Sequence, residues 1–406
     1  MINVSVLGYG TVGSGVFDII RENNAMIAKR IGDEICTKYV LDLRDFPGDP
    51  VEEVLVHDFE VIKNDPEVHV VVETMGGLHP AYEFVKASLE AGKSVCTSNK
   101  ALVADFGPEL IQIAKDHNVS FLFEASVGGG IPIIRPLQSS LNPDEILEIS
   151  GILNGTTNFI LTEMTNKGAD FDTVLKEAQQ LGYAEADPTA DVEGYDACRK
   201  IAILTSLAYG KTLDFNDVYT EGITKITDRD IVYAGKIGAK VKIFGSSKKD
   251  GDRISAKVAP VLIYPENPLY SVDDVFNAIL VKGNMVGDVM FYGQGAGKLA
   301  TASAVVSDVM EVAKNIGKCV EVQWSAEKIA LEPFEESKSS FFVRLRGDKS
   351  QNAAKVKEAF GDVTEIDAGY VDEYAFITGE ITEGAYASAA DSLGNVINKI
   401  RVPETK

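Results

Sequence analysis

Cysteine, histidine and basic charge are all scarce in this chain of 406 residues. The four cysteines, Cys36, Cys96, Cys198 and Cys319, stand far apart and form no CxxC pair. That excludes a zinc knuckle and a disulfide framework, and it points to a reduced, cytoplasmic protein. The four histidines, His57, His69, His79 and His117, show neither HxxxH nor HExxH spacing, so transition-metal catalysis lacks a ligand set. Lysine and arginine total 39 against 61 acidic residues, and the net charge of −22 would repel a phosphate backbone or an anionic membrane surface. Nucleic-acid and membrane partners are therefore not expected. The longest uncharged run, residues 1–17, carries four glycines and scattered polar residues, which makes it neither a membrane span nor a signal peptide.

What remains is ordinary globular composition, 45% hydrophobic and 25% charged, at a length that suggests two or three domains. The chain opens on a buried strand over 2–7, the turn Gly8-Tyr9-Gly10-Thr11-Val12-Gly13, and a helix with Val16, Ile19 and Ile20 on one face. GxGxxG between strand and helix permits a tight turn, close backbone approach to a pyrophosphate and a helix N-terminus facing the anion. The alternative is a glycine-rich turn of another α/β fold. Further strands over 39–43, 68–73, 94–97 and 120–124 alternate with helices over 80–91 and 107–117. This rhythm predicts an α/β fold with a Rossmann-type, doubly wound parallel sheet that binds ligand at the carboxyl ends of its strands. The second strand leads into Asp42-Leu43-Arg44-Asp45. A carboxylate there suits the ribose 2′-hydroxyl of NAD and an arginine suits the 2′-phosphate of NADP, so both cofactors stay open.

From 128 to about 318 the pattern changes to glycine-rich loops, longer helices and strand-like segments over 146–153, 241–244 and 255–261, expected as a mixed α/β substrate and dimerisation domain. The last segment reads strand (341–346), helix (351–360), strand, strand (374–381), helix (385–393), strand, the ferredoxin-like βαββαβ order. An acidic linker is expected at 332–336. The expected domains are 1–127, with helix 299–316 packing back onto it, 128–331, and 338–406.

Functional-looking residues are densest from Gly182 to Lys200. Asp196 and Lys200 stand four apart on a helix, with the acid on the N-terminal side, so they share a face. In a closed site such a lysine donates a proton to a carbonyl oxygen as hydride reaches the carbon, or removes one in reverse. Spacing alone favours a solvated surface pair, because such pairs are common. Lys100 follows Cys96-Thr97-Ser98-Asn99 at the carboxyl end of a strand, where this fold exposes ligand contacts. Gly293 to Lys298 forms a glycine-rich approach to a helix over 300–314, suited to an anion or cofactor or simply to a flexible turn.

Thr97-Ser98-Asn99-Lys100, the stretch from Glu124 to Pro132, the stretch from Gly151 to Asn158 and above all the block from Gly182 to Lys200 resemble homoserine dehydrogenases over essentially the full length. The resemblance implies reversible, NAD(P)-dependent interconversion of L-homoserine and L-aspartate 4-semialdehyde, on the route to threonine, methionine and isoleucine. It implies Lys200 as proton donor and acceptor, Asp196 orienting the substrate, Lys100 between nicotinamide and substrate, Glu185 on the substrate ammonium, and Asp191 and Tyr183 beside it. For the dinucleotide it implies Gly8, Gly10, Thr11, Val12, Gly13, Arg44, Thr74, Met75, Ser98, Lys100 and Gly297. For a structural monovalent cation such as sodium it implies Glu124, Val127, Gly129 and Ile131, mostly through backbone carbonyls. A homodimer or homotetramer and an amino-acid effector on an ACT-like C-terminal module are implied as well.

Two features depart from the family. Leu299-Ala300-Thr301 stands where Pro-Thr usually opens the helix, and the loop Gly347-Asp348-Lys349-Ser350-Gln351 lacks Asp-x-Pro-Gly, which puts effector control in question. Aspartate semialdehyde dehydrogenase is disfavoured, since no cysteine has a nearby histidine in sequence. A non-catalytic amino-acid sensor is the alternative of a different class, and the intact Glu185, Asp196 and Lys200 argue against it.

Overall fold

Short runs of valine and isoleucine closed by glycine or polar turns build the first sheet, because β-branched side chains fit a pleated, two-sided core. The computed structural model describes residues 1–403, and the last three residues of the expected 338–406 module lie outside them. The chain forms two units, each assembled from three segments: Met1–Glu145, Ala202–Asp214 and Phe291–Ile329 in the first, Ile146–Ile201, Phe215–Met290 and Ala330–Lys406 in the second.

The first unit holds six parallel strands, β1 (Ile2–Leu7), β2 (Ile35–Leu41), β3 (Leu55–Val56), β4 (Val68–Glu73), β5 (Ser94–Thr97) and β6 (Phe121–Leu122), in the order β3-β2-β1-β4-β5-β6. This is the doubly wound, Rossmann-type order. Leu7 lies opposite both Leu41 and Glu73, and Glu73 opposite Thr97. That register brings Gly8, Asp42, Thr74 and Ser98 out at one edge of the sheet, its carboxyl edge.

Helices α1 (Thr11–Glu22), α2 (Asn24–Ile31), α3 (Phe59–Asn64), α4 (Ala81–Glu90), α5 (Lys100–Asp116) and α6 (Ala125–Gly128) connect the strands. Val4, Val6, Val16, Ile20, Val40, Val70 and Val72 share one buried core with Ala302, Val305, Val306 and Val309 of a later helix, Lys298–Lys314. Each buried valine or isoleucine there contributes about 1.5–3 kcal/mol.

Several boundaries move from expectation. β2 runs from Ile35 to Leu41 rather than over 39–43, because the Asp42 carboxylate turns the chain by accepting the amides of Tyr9 and Arg44, and Leu43 is left exposed. α5 starts at Lys100 rather than 107. The Asn99 side chain caps the amide of Leu102, and Pro108 sits inside the helix instead of opening it.

The second unit is built on an 11-stranded mixed sheet. Its strands are β7 (Ile146–Ile152), β8 (Tyr219–Thr220), β9 (Lys240–Asp250), β10 (Arg253–Ile263), β11 (Phe276–Gly283), β12 (Gly287–Gln294), β13 (Lys338–Arg346), β14 (Thr364–Ile366), β15 (Glu373–Ile377), β16 (Ile381–Thr382) and β17 (Val396–Val402). The main order is β12-β11-β7-β9-β10-β17-β13-β15-β14, with β16 on β13 and β8 on β10. Helices α7 (Gly155–Lys167), α8 (Phe171–Gln180), α9 (Thr189–Val192) and the start of α10 (Tyr195–Tyr209, whose later turns belong to the first unit) lie on the unit's first segment and α11 (Asp228–Lys236) on its middle one; α12 is the helix Lys298–Lys314.

With α13 (Lys349–Phe360) and α14 (Glu383–Leu393), the last segment keeps the expected βαββαβ order except that the strand expected over 374–381 ends at Ile377 and the two-residue β16 stands apart before α14; its sheet continues that of the middle segment where β17 runs parallel to β10. The stretch 332–336 is not a loose tether, since Phe334 stacks on Tyr219 with ring centroids 3.7 Å apart. Arg344 is buried against Asp230 at 2.7 Å and Glu373 at 2.8 Å, and Arg401 against Glu221 at 2.8 Å. The pairs with Asp230 and Glu221 tie the last segment to the rest of its unit.

Candidate active site

In the second unit, β7 ends at Ile152 and the chain turns through Leu153 and Asn154 into α7. The Asn154 Oδ1 accepts the amide of Thr157 at 2.9 Å and so caps that helix. Gly155 follows because a side chain there would run into the Val275 carbonyl, 2.7 Å from the Cβ position. The first turn of α10 presents Asp196, and the next turn presents Lys200.

The Lys200 Nζ lies 2.8 Å from the Asp196 Oδ2 and donates to the Leu153 carbonyl at 2.7 Å. The Asn154 Nδ2 donates to the Asp191 Oδ1 at 2.7 Å and to the Asp196 Oδ2 at 2.9 Å. Lys200, Asp196 and Asn154 are 8%, 3% and 6% exposed. A solvated surface pair is thereby excluded: a buried lysine and carboxylate persist only when hydrogen-bonded partners replace water.

Asp191 thus joins Asp196 and Lys200 in one network. Tyr183 lies on the loop between α8 and α9, its ring edge-on to Phe159 and its carbonyl accepting the Thr156 hydroxyl at 2.6 Å. Glu185 is exposed on the same loop, and among the described residues no hydrogen bond links its carboxylate to the network. Asn154 and Thr156 lie inside the stretch from Gly151 to Asn158 without standing out there; an asparagine just before a helix is the signal that singles out the first.

The first unit carries the dinucleotide candidates. Gly8 has φ +93°, and a Cβ on Gly13 would lie 1.9 Å from the Gly8 carbonyl oxygen, so only glycine closes this turn. Gly10 stands at the N-cap of α1 without a capping side chain, and Thr11, Val12 and Gly13 form the first turn, whose amides suit a pyrophosphate. The Thr74 hydroxyl donates to the Leu7 and Gly8 carbonyls at 3.1 and 3.0 Å.

Beneath that edge lies Glu73, which sequence reading passed over. Fully buried, it accepts the Thr97 hydroxyl at 2.6 Å and the amides of Met75 and Gly76 at 2.8 and 3.3 Å. Burial pushes its carboxyl above the usual range, against the pull of those donors. Asn99 donates to the Gly77 carbonyl at 2.6 Å while capping α5, which begins with Lys100. The Ser98 amide donates to the Glu73 carbonyl at 3.4 Å, and Gly297, at φ +115°, caps α12. Asp42 is gripped by Arg44, whose Nε and Nη2 each lie 2.9 Å from its carboxylate; that pairing holds the Asp42 carboxyl well below its usual range.

For a cation, Glu124 is buried and its carboxylate already accepts three amides, those of Ile133 at 2.6 Å and of Ile134 and Arg135 at 2.7 Å. The carboxylate therefore anchors the chain after Pro132. A cation here would draw on the main-chain carbonyls of Glu124, Val127, Gly129 and Ile131, oxygen donors that suit a hard ion.

A Rossmann-type sheet with this glycine turn, together with a buried lysine and carboxylate on a second, mixed-sheet unit, defines an oxidoreductase that works with a nicotinamide dinucleotide. Comparison with known proteins gives the family. The profile of homoserine dehydrogenase matches residues 132–310, and that of the homoserine dehydrogenase NAD-binding domain matches residues 8–124. A homoserine dehydrogenase of Synechocystis sp. is 40% identical over 424 aligned positions, covering 97% of this chain and 96% of that protein. The crystal structure of a homoserine dehydrogenase from Thiobacillus denitrificans superposes with a TM-score of 0.90 at 35% identity, covering 99% of this chain and 98% of the other. A hyperthermophilic archaeal homoserine dehydrogenase in complex with NADPH matches with a TM-score of 0.66 at 29% identity over 77% of this chain and 98% of its own. The chain belongs to the homoserine dehydrogenase family and is an NAD(P)-dependent oxidoreductase. Among the described residues no helix is long and apolar enough to cross a membrane.

Proposed function

We propose that this protein interconverts L-homoserine and L-aspartate 4-semialdehyde, with Lys200 as the group that moves the proton. The observation that carries this reading is the burial of Lys200 against Asp196, since a proton-transfer group needs a fixed position and little competing water. When bound, the nicotinamide supplies the hydride chemistry at the carbon bearing the oxygen. In the oxidising direction the neutral Lys200 amine takes the hydroxyl proton as that carbon loses hydride. In the reducing direction the Lys200 ammonium returns a proton to the carbonyl oxygen. Asp196 holds the lysine and orients the substrate, and Asp191 shares its asparagine donor.

Glu185 pairs with the substrate ammonium and Tyr183 flanks it, a role that suits an exposed carboxylate free of the buried network. Lys100 supplies charge where an alkoxide develops. The amides of Gly10, Thr11, Val12 and Gly13 take the pyrophosphate, with Thr74, Met75, Ser98 and Gly297 around the rest of the dinucleotide and Arg44 at the adenosine ribose. A monovalent cation at Glu124, Val127, Gly129 and Ile131 would be structural.

The resemblance supports a cytoplasmic homodimer or homotetramer, domains near 1–127, 128–331 and 338–406, a place on the route to threonine, methionine and isoleucine, and an amino-acid effector on the last module. The test is homoserine-dependent reduction of NAD and NADP, followed at the nicotinamide absorbance with and without threonine. Activity with either cofactor supports the reaction. No activity despite demonstrated dinucleotide binding overturns it.

A further inference from the structure

We propose that Asn154 is the positioning residue of the proton-transfer site, orienting Asp191 and Asp196 so that Asp196 can hold Lys200; the catalytic part of this inference rests on the reaction proposed above. The two ends of its amide do different work. The Oδ1 accepts both the amide and the hydroxyl of Thr157, at 2.9 and 3.1 Å, which fixes the amide's orientation and caps α7. The Nδ2 then faces two carboxylates, Asp191 at 2.7 Å and Asp196 at 2.9 Å. Two acids brought to one small group repel each other, and a shared uncharged donor holds both without adding a charge that would compete with Lys200. The preceding residue contributes as well, since the Leu153 carbonyl accepts the Lys200 Nζ at 2.7 Å. The turn from β7 into α7 thereby fixes the lysine and, through Asn154, the acid beside it.

Helix capping and carboxylate positioning are separable by substitution, because serine and aspartate cap a helix about as well as asparagine but neither offers the amide donor. Asn154→Ser removes the donor. Asn154→Asp replaces it with a third negative charge. If Asn154 positions the acids, Asn154→Ser keeps Tm within about 4 °C of wild type, whereas Asn154→Asp lowers Tm because it buries a third carboxylate against two others; both bind NADPH unchanged and lose about 10–100-fold in kcat for homoserine oxidation, as expected when a proton-transfer group is misplaced. Asn154→Asp is the more impaired of the two. Its added charge favours the lysine ammonium, so the acid limb of its kcat profile moves about one unit to higher pH, whereas the limb of Asn154→Ser stays within about half of that.

Wild-type kcat and pH profile in both variants would overturn the proposal and leave Asn154 as a cap. So would a fall in the activity of Asn154→Ser that merely tracks a fall in its Tm. Should the wild-type protein show no homoserine oxidation, the reaction reading fails by itself, and positioning is read from the crystal structure of Asn154→Ser. Displaced Asp191 and Asp196 carboxylates there support the proposal, and carboxylates that stay in place overturn it.

Discussion

Replacing Lys200 with methionine, which keeps the stem and removes the charge, has two consequences that the structure allows to be separated. The first is on stability. Lys200 and Asp196 lie 2.8 Å apart with side chains only 10% and 4% exposed, so the variant takes the Lys200 charge away from a buried carboxylate. Loss of one partner from such a pair costs about 3–5 kcal/mol, and at about 2–4 °C per kcal/mol that lowers Tm by roughly 6–20 °C. The second is on chemistry, where loss of a positioned proton donor and acceptor reduces kcat by about 10²–10⁴-fold. The double variant Lys200→Met/Asp196→Asn removes both charges, so it recovers most of the stability while remaining inactive, because the proposed proton carrier is gone. Dinucleotide affinity stays at the wild-type level in both, since the proposed dinucleotide contacts lie on other residues. The measurements are kcat and KM from nicotinamide absorbance, Kd for NADPH from fluorescence titration, and Tm from calorimetry. If the single variant keeps kcat within about 3-fold of wild type, far short of what loss of a general acid–base group costs, Lys200 does not move the proton. If the double variant regains activity along with stability, the lysine serves the fold alone.

Arg44→Ala releases the Asp42 carboxylate from the guanidinium that grips it and removes the cation offered to a 2′-phosphate. Charged hydrogen bonds of this kind contribute about 1.5–3 kcal/mol, so kcat/KM for NADP falls roughly 10–150-fold relative to NAD; an unchanged ratio of the two would show that Arg44 does not read the ribose. Arg344→Ala leaves Asp230, which is 0% exposed, without its cation and leaves Glu373 paired with Arg229 alone, and it lowers unfolding stability by about 3–5 kcal/mol in urea titration, whereas a loss below about 1 kcal/mol would mean that the pairs are open to water. Lys257 is half-buried near Arg401, and desolvation first, then that neighbouring charge, push its amine down to about 8; its hydrogen-bond partners are the Ser337 and Ser339 hydroxyls at 3.3 and 3.4 Å. With the folded value below the unfolded one, the native state binds fewer protons between about pH 8 and 10.5, so the penalty is full below pH 8 and fades as pH rises through that window. Lys257→Met should therefore stabilise the protein at pH 7 by about 1–3 kcal/mol, with the gain vanishing near pH 10.5, and a loss of stability at pH 7 would refute the assignment.

The parallel sheet of the first unit was readable because its cues are local. β4 and β5 fall on the expected residues since each is a short β-branched run with a turn at both ends, and the glycine turn sits where strand passes into helix. Boundaries moved where a side chain outweighed the pattern. Asn99 starts α5 two turns before the Gly107-Pro108 pair, and Asp42 ends β2 before Leu43 by taking the Tyr9 amide from a distant part of the chain. The continuity of the last segment's sheet with β10 was out of reach, because a single bridge such as Val261 to Arg401 leaves no periodic trace in either strand.

The same distinction separates what could and could not be read of the site. An acid and a lysine four residues apart on a helix have one appearance in sequence whether they face water or a closed pocket, because spacing reports direction and says nothing about depth. Depth here comes from elsewhere: β7 delivers the Leu153 carbonyl, the α7 cap delivers the Asn154 amide, and Asp191 arrives from α9. Asn154 shows why motif letters alone carry less than their chemistry. Its Oδ1 obeys a local rule, the capping of the helix that it precedes, and that half is legible from the sequence. Its Nδ2 obeys a tertiary one, the pairing with acids 37 and 42 residues further along. A residue bound by both rules is constrained at both ends of one rigid amide. Substitutions that satisfy the cap and fail the acids therefore distinguish the fold's use of this position from the site's.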